Sequence, residues 1–207
     1  LEKGIIQRVA AINAFLKDVY NGQEIIKAGV IPADLIYKNR AFSPQMCNFI
    51  PPGDVYTHVL GVDIVRTGVN EFFVLEDNAR VPSGVSYMLE NRSTMRHMFP
   101  ELFTTHNIKS ISGYPKDLFN SLSSCAPNDI SDPNIVVLTP GIFNSAYYEH
   151  SFLADEMGVE LVQGSDLEIC DGRVMIRTTA GTEIVDVIYR RIDDEFLDPM
   201  SFDPDSL

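Results

Sequence analysis

The chain has 207 residues and is 45% apolar, which is enough for one large domain or two small domains with hydrophobic cores. Its net charge of −13 argues against nucleic acid or an anionic membrane as a partner. Three widely spaced cysteines predict a reduced, cytoplasmic setting without disulfides or a zinc site; they are Cys47, Cys125 and Cys170. No apolar run is long enough to span a membrane.

The N-terminal quarter of the chain is predicted to be helical. Apolar residues spaced three and four apart predict an amphipathic helix over residues 1–20. Shorter helices are predicted over 23–27 and 33–38, the second with Pro32 at its start. Prolines and a glycine within residues 41–54 predict a loop that leads into the next elements.

Two β-prone segments are predicted to pair as an antiparallel hairpin. Residues 55–65 and 72–78 have the composition of strands, and the short segment Thr67–Asn70 between them is typical of a turn. A turn centred on the last two residues of that segment places Asp63 directly opposite Glu76.

Oxygen-bearing side chains accumulate at the end of this hairpin. Because side chains alternate along a strand, Glu76 and Asn78 share one face and Asp77 points to the other. Facing carboxylates repel each other unless a cation or a proton lies between them. Carboxylate and amide oxygens suit Mg²⁺, which completes its shell with water and phosphate oxygens. The alternative is a solvent-exposed hairpin end with ordinary surface charges, and the spacing alone leaves both interpretations open.

The second strand passes into a helix through Pro82, Ser83 and Gly84. The sequence predicts a helix over 84–97 with Ser83 as its N-cap, and a helix N-terminus at the end of a strand attracts anions. Residues 98–114 are predicted to be irregular. A helix is then predicted over 116–125, followed by a turn-rich segment typical of a domain boundary.

From residue 134 onward the pattern changes to strands and helices in alternation. The apolar run 135–138 predicts a buried parallel strand, followed by a helix over 146–157, capped by Asn144 or the serine after it, and a strand over 159–163. This order predicts a right-handed crossover and a parallel sheet, whose ligands bind beyond the carboxyl ends of the strands, here at the loop 139–145. Two further elements are predicted: a hairpin over 168–177 and a last strand over 184–189.

Two adjacent arginines, Arg190 and Arg191, follow the last strand. Because neighbouring strand residues point to opposite faces, at most one of them enters a site at the sheet edge. The alternative is that both pair with nearby acids. Glu149, in the first turn of its helix, is either a substrate contact or a surface acid that the helix dipole favours.

Several motifs carry a family resemblance that extends through nearly the whole chain. They are residues 75–78, 81–87, 90–92, 138–141, 144–150, 152–154 and 187–199. Together they resemble the circularly permuted ATP-grasp family, which is more distantly similar to glutathionylspermidine synthetase and eukaryotic-type glutathione synthetase. The resemblance implies an α/β fold, with N-terminal helices and a β-hairpin forming an ATP-grasp portion over residues 1–130. A small parallel α/β substrate domain over 131–207 follows it.

The resemblance also implies roles for individual residues. The metal motif of the synthetases maps onto Asp63, Glu76 and Asn78, which implies Mg²⁺ and ATP as cofactors. In that motif an arginine stands two residues before the aspartate, where this chain has Gly61. The candidates for the catalytic arginine that stabilises the transition state are therefore Arg66 and Arg80. The implied substrate-binding residues are Ser83, Gly84, Asn144, Glu149, Arg190 and Arg191, with one of the two adjacent arginines holding a carboxylate or phosphate.

The leading hypothesis is therefore part of an ATP- and Mg²⁺-dependent ligase that joins a carboxylate to an amine through an acyl phosphate. Its substrates would be small molecules or peptides. The sequence shows no glycine-rich phosphate-holding loop, so a longer chain is expected to supply the nucleotide-holding part, and these 207 residues alone are expected to be inactive. The alternatives are a non-catalytic relative that serves as a binding module and a metal-dependent hydrolase, which the lack of a positioned histidine base disfavours.

Overall fold

The structure, a computed structural model, describes residues 1–127, 130–193 and 196–197. The chain forms two compact units, Leu1–Pro82 and Ser83–Leu207, which are described separately below. Helices and strands are mixed in both units, which confirms the predicted α/β class. The division of function at residue 130 stays a prediction. The last motif, over 187–199, lies partly outside the described residues.

The first unit consists of helices followed by a two-stranded hairpin. Its elements are α1 (Glu2–Tyr20), α2 (Glu24–Lys27), α3 (Ala33–Tyr37), β1 (Gly61–Arg66) and β2 (Phe72–Asn78). The three predicted helices are thus confirmed, each with one end that differs by a single residue. Val19 on α1 is buried, and the Tyr20 ring stacks on Phe42 with a centroid separation of 5.3 Å, so the end of α1 packs against the loop that follows α3.

The segment before β1 is not the strand that the sequence predicts. Residues 55–60 are irregular, and β1 begins only at Gly61. The Asn13 Oδ1 atom on α1 accepts hydrogen bonds from the Tyr56 and Thr57 amides at 2.9 and 3.1 Å. These two amides therefore donate to a side chain and not to the carbonyl groups of a neighbouring strand. This explains why the β-prone composition does not produce a strand here.

The register of the hairpin agrees with the prediction at the acids and differs near the turn. Asp63 pairs with Glu76 in the antiparallel ladder, as predicted. Closer to the turn the pairing is shifted, so that Ile64 lies opposite Val74 and Leu75 is an extra residue, which forms a β-bulge. The bulge separates the apolar turn end of the hairpin from its polar open end.

The described part of the second unit contains four α-helices. They are α4 (Val85–Met98), α5 (Pro100–Thr105), α6 (Tyr114–Ser123) and α7 (Tyr147–Met157). The helix α5 contradicts the irregular structure predicted over 98–114; Pro100 occupies its first position, where a proline has no amide hydrogen bond to lose. Gly158 ends α7 in the left-handed conformation at φ 69°, as its sequence position predicts.

Six strands of this unit form two three-stranded sheets. The parallel sheet has the order β4–β3–β8 and contains β3 (Ile135–Leu138), β4 (Glu160–Val162) and β8 (Val187–Arg190). The antiparallel sheet has the order β5–β6–β7 and contains β5 (Leu167–Cys170), β6 (Arg173–Thr178) and β7 (Gly181–Ile184). The parallel sheet and the hairpin over 168–177 are thus confirmed. The single last strand predicted over 184–189 is wrong, because the chain leaves the antiparallel sheet after Ile184 and enters the parallel sheet at Val187.

The core of the second unit joins its two sheets. Every residue of β3 is buried, as expected for the central strand of a parallel sheet. The apolar side chains that pack together come from both sheets and from the break between β7 and β8; the buried ones are Val136, Leu138, Val162, Ile176 and Val185. This core fixes the carboxyl ends of β3 and β8 side by side. No helix among the described residues is long and apolar enough to cross a membrane.

Asn13 provides a test of the segment before β1. Asn13→Ala removes the acceptor of two amide hydrogen bonds, so we expect a loss of roughly 1–3 kcal/mol in the free energy of unfolding. We also expect faster hydrogen exchange at the Tyr56 and Thr57 amides, measured by NMR. The matched control is Asn91→Ala, at an exposed position of α4. Unchanged exchange at both amides would contradict the assigned role of Asn13.

Candidate functional site

The first unit carries a group of exposed oxygen ligands at the open end of the hairpin. Asp63 and Glu76 are cross-strand partners, and Asn78 follows two residues later on the same strand. The Asn78 Nδ2 atom donates a hydrogen bond to Glu76 Oε1 at 3.3 Å, so these two side chains lie together on one face. All three residues are exposed and therefore accessible to an ion from solvent.

Asp77, which separates the two ligands on β2, is bound elsewhere. Its carboxylate accepts hydrogen bonds from Arg8 on α1, from Nε at 2.7 Å and from Nη2 at 2.6 Å. These hydrogen bonds lower the pKa of Asp77 and raise the pKa of Arg8. Asp77 therefore faces the helix and not its neighbours on the strand, as the alternation of side chains predicts.

The chemistry of this group fits a hard cation. Directly opposed residues in an antiparallel pair have Cβ atoms roughly 4.5–5.5 Å apart, a spacing at which one ion can reach two carboxylates. Mg²⁺ takes one or two protein carboxylates and keeps several water or phosphate ligands. Within the described ranges, no cluster of three or more His, Cys, Asp or Glu side chains is placed to hold a metal. The candidate set is smaller, since it consists of two carboxylates and an amide.

The two candidate arginines of this unit occupy different ends of the hairpin. Arg66 is the last residue of β1, and its guanidinium donates to the Gly68 and Val69 carbonyls at 2.9 and 3.0 Å and lies over the Phe72 ring. Arg66 thus stabilises the turn, on the far side of the bulge from the acids. Arg80 follows Asn78 by two residues, so its position in the chain favours it for a role beside the acids.

The second unit has its candidate site at the carboxyl edge of the parallel sheet. The central strand β3 is flanked by β4 on one side and by β8 on the other, and both pairs are parallel, so the carboxyl ends of the three strands meet at one edge. Parallel α/β sheets bind their ligands at this edge. The Arg191 amide donates to the Leu138 carbonyl at 2.8 Å, which holds the ends of β8 and β3 together at this edge.

Glu149 is the central residue of this edge. Its Oε2 atom accepts hydrogen bonds from the Gly84 amide at 2.6 Å, the Ser86 amide at 3.2 Å and the Ser86 hydroxyl at 2.9 Å. Its Oε1 atom accepts one from Arg191 Nη2 at 3.2 Å. The side chains of Glu149 and Arg191 are both 1% exposed. Glu149 is therefore not a surface acid, which was one of the two alternatives from the sequence. Of the two adjacent arginines, Arg191 has the buried side chain.

The carboxylate of Glu149 occupies the N-terminus of α4. Gly84, not Ser83, is the N-cap residue of this helix, and no side chain caps it locally. The predicted capping role of Ser83 is thus wrong, because a carboxylate from α7 satisfies the same donors. Gly84 has φ 110°, a conformation that residues with a Cβ atom rarely adopt. The anion predicted for this helix end is supplied by the protein itself.

Aromatic hydroxyls surround the buried guanidinium. Arg191 Nη1 donates to the Tyr189 hydroxyl at 3.1 Å, and the guanidinium carbon lies 5.5 Å from the centre of the same ring. Burial raises the pKa of Tyr189 and raises the pKa of Tyr114 to about 12, and the neighbouring charge of Arg191 opposes both increases. Both phenols therefore stay protonated at neutral pH and are neutral neighbours of the Glu149–Arg191 pair.

A buried histidine holds the loop that follows β3. His150 Nδ1 lies 2.8 Å from Thr139 Oγ1, and the Gly141 amide donates to the same hydroxyl at 3.2 Å. Which of these two atoms donates depends on the tautomer of the imidazole ring. Burial, followed by the positive charge of Arg191, lowers the pKa of His150 to about 4. The loop is thus anchored by a histidine that stays uncharged.

The other predicted substrate residues are more accessible. Asn144 is exposed, and its Oδ1 atom accepts the Ala146 amide at 2.9 Å, which orders the loop before α7. Ser83 is exposed, and Arg190 is partly exposed at the end of β8. Phe143, which directly precedes Asn144, is 99% exposed. These residues can contact a ligand directly, whereas Glu149 and Arg191 are placed to hold the edge together.

Sequence reasoning did not single out four residues of this network. They are Ser86, Thr139, His150 and Tyr189. Each is buried or half-buried, and each forms a side-chain hydrogen bond described above. Ser86 and Thr139 could have been noted as small polar residues inside otherwise apolar patterns. Nothing in the spacing indicates the burial of His150, since it depends on how α7 packs.

Comparisons with known proteins agree on one family. The family model described as "A circularly permuted ATPgrasp" matches residues 1–207. A protein of Synechocystis sp. is 51% identical over 207 residues, which are 100% of this chain and 43% of that protein. A Mycobacterium tuberculosis protein is also 51% identical over 207 residues, which are 38% of its length. Both carry the name of an uncharacterised protein.

A third relative has a functional name. A Frankia casuarinae protein named "Putative glutamate--cysteine ligase 2-2" is 39% identical over 200 residues, which are 95% of this chain and 23% of that protein. The chain therefore spans less than half the length of each of these three relatives.

The buried carboxylate of Glu149 yields a stability prediction. Glu149→Gln leaves the Arg191 guanidinium buried without its counter-charge, so we expect a loss of about 3–5 kcal/mol in the free energy of unfolding. Urea denaturation followed by circular dichroism measures this loss. The matched control, Glu156→Gln, changes an exposed glutamate on the same helix and should cost less than about 0.5 kcal/mol. Similar losses for the two variants would show that the network does not stabilise the fold.

His150 yields a pH prediction. Because its pKa falls from 6.5 to about 4 on folding, the unfolded chain binds the proton more readily. The stability contributed by this residue is therefore fully present above pH ~6.5 and is lost as the pH falls toward about 4, by up to about 3 kcal/mol. His150→Asn keeps an acceptor for Thr139 but cannot titrate, so its free energy of unfolding should depend less steeply on pH between about 7 and 5. Parallel slopes for wild type and variant would contradict the prediction.

Proposed function

Because the chain belongs to the circularly permuted ATP-grasp family, we propose that the whole protein is an ATP- and Mg²⁺-dependent ligase that joins a carboxylate to an amine. The observation that carries the proposal is the cross-strand pair of Asp63 and Glu76, with Asn78 on the same face. The name of the Frankia relative supports a ligase that acts on amino-acid substrates.

In this proposal Asp63, Glu76 and Asn78 hold Mg²⁺, and a bound Mg²⁺ would neutralise charge on the phosphate oxygens of ATP. The arrangement of their neighbours supports this assignment. Arg8 binds Asp77 on one face of β2. The opposite face carries Glu76 and Asn78, which are proposed metal ligands. The ion pair also links β2 to α1. The proposed ligands therefore lie on a strand that a second element supports, and a metal site needs such support to keep its geometry.

The chemistry proceeds in two displacements. A carboxylate oxygen of the acid attacks the terminal phosphorus of ATP, and the bond from phosphorus to the bridging oxygen breaks to release ADP. The amine then attacks the acyl carbon, phosphate leaves, and the amine loses a proton. Arg80 is proposed to stabilise negative charge on the transferred phosphoryl group, because it follows the proposed metal ligand Asn78 by two residues, whereas Arg66 lies at the turn end of the hairpin.

We assign substrate binding to the carboxyl edge of the parallel sheet. Arg190 offers a guanidinium to a substrate carboxylate, and the exposed Asn144 and Ser83 offer polar groups to the remainder of the molecule. Glu149 and Arg191 act as positioning residues, because their hydrogen bonds hold the start of α4 and the end of β8 at this edge. The glutathionylspermidine-synthetase type of specificity belongs to this proposal and not to the family assignment.

The reaction class is tested with the whole protein, ATP, Mg²⁺ and pairs of amino acids, beginning with glutamate and cysteine. We expect ADP and phosphate to form only when both substrates and Mg²⁺ are present, and a heavy-oxygen label in the substrate carboxylate to appear in the released phosphate. Release of phosphate without the label would exclude the acyl phosphate. Binding of ATP without turnover for any pair would favour the non-catalytic alternative.

The metal site is tested with a pair of neighbouring variants. Glu76→Gln keeps the volume and one carbonyl oxygen but removes charge from the cation site, so we expect turnover to fall by at least about 100-fold, equivalent to about 2.7 kcal/mol of barrier. Asp77→Asn should reduce turnover far less, because Asp77 faces Arg8. Turnover is measured against Mg²⁺ concentration, with thermal melts to verify folding. Equal losses in the two variants would refute the assignment of faces and the metal site with it.

A further inference from the structure

A groove in the second unit lies outside the site described above. It is bordered by α4, α5, the segment over residues 106–113, and α7. Its volume is about 720 Å³, within the range of roughly 300–1,000 Å³ typical of small-molecule sites. Its apolar lining includes Leu89, Phe103, Ile111 and Phe152, all half-buried, so a ligand there would find a continuous apolar floor.

Positive charge is concentrated around this floor. Arg92 and Arg96 are one helical turn apart on α4, and Lys109 lines the groove from the segment over residues 106–113. The acids that also line it are Glu90 and Glu156, and His97 is the remaining titratable group. The charged lining is therefore net positive, although the chain as a whole carries a charge of −13. Such a local reversal of sign favours an anionic group.

Arg92 connects the floor to the rim. Its guanidinium carbon lies 6.0 Å from the centre of the Phe103 ring, and its Nη1 atom donates to the Lys109 carbonyl at 2.9 Å. The guanidinium is thus held over the aromatic floor by two contacts on different elements. Because little side-chain freedom remains to be lost, the charge is already arranged before a ligand binds. Ser110 and Ser112 add hydroxyl groups to the same rim.

We propose that this groove is a binding site for a small anion with an aromatic or aliphatic portion. The anionic group, a carboxylate, sulfonate or phosphate ester, lies against the guanidinium groups of Arg92 and Arg96, and the apolar portion lies on the floor around Phe103 and Phe152. The site is independent of the proposed ligase reaction, since it shares no residue with the metal group or with the carboxyl edge of the sheet. A nucleic acid fits it less well, because the surrounding chain is strongly acidic.

The probe is anilinonaphthalene sulfonate, which combines a fixed negative charge with aromatic rings. We expect saturable binding of one molecule per chain, measured by calorimetry, and shifts of the Ser93, Ser110 and Ser112 amide signals that locate it in the groove. The double variant Arg92→Gln/Arg96→Gln should weaken binding by about tenfold or more. The matched control, Arg40→Gln/Arg173→Gln, removes the same charges from exposed positions that do not line the groove.

Several outcomes would overturn the proposal. Equal weakening by the two double variants would show that only the overall charge matters. Equally tight binding of phenylnaphthylamine, which lacks the sulfonate, would show that the rim does not recognise anions. Binding that is not saturable, or that moves signals elsewhere, would indicate general adhesion to apolar surface. Binding to the 207-residue chain but not to the whole protein would mean that another part of the protein covers the groove.

Discussion

The arrangement of three elements in the second unit depends on a buried ion pair between Glu149 and Arg191. The carboxylate of Glu149 binds the start of α4 through Gly84 and Ser86 and binds the end of β8 through Arg191. Two charges removed from water are stable only when their hydrogen-bonding capacity is well used. Here the carboxylate accepts four hydrogen bonds. One side chain thereby links a helix, a sheet edge and a second helix, in addition to the apolar core that holds the sheet.

In the first unit, neighbouring polar side chains are separated because they lie on opposite faces of one strand. Three consecutive polar residues end β2, and alternation sends the middle one, Asp77, to Arg8 on the helix. The outer two remain exposed on the face that Asp63 shares. An ion pair at such an exposed position contributes little to stability, but under the proposed function it would keep a third carboxylate from competing for the cation.

Local patterns predicted the elements well, whereas long-range contacts decided what the patterns could not. The helix α1, the hairpin and the parallel sheet follow from spacing and composition, and the pairing of Asp63 with Glu76 follows from counting residues across a turn. Two of the failures share one cause: a distant side chain satisfied a local donor. Asn13 replaced a strand before β1, and Glu149 replaced Ser83 as the partner of α4. The burial of His150 likewise depends on packing between elements that no short window contains.

The bulge at Leu75 means that the site is specified by chain length as well as by residue identity. If the pairing next to the turn continued unbroken, Asp63 would lie opposite Leu75, and the acids would be out of step by one residue. The extra residue corrects this offset and adds local twist. A related sequence could therefore retain every acid of this hairpin and still lose their alignment through a single insertion or deletion between the turn and the acids. The number of residues between the turn and the acids thus matters as much as the identity of the acids.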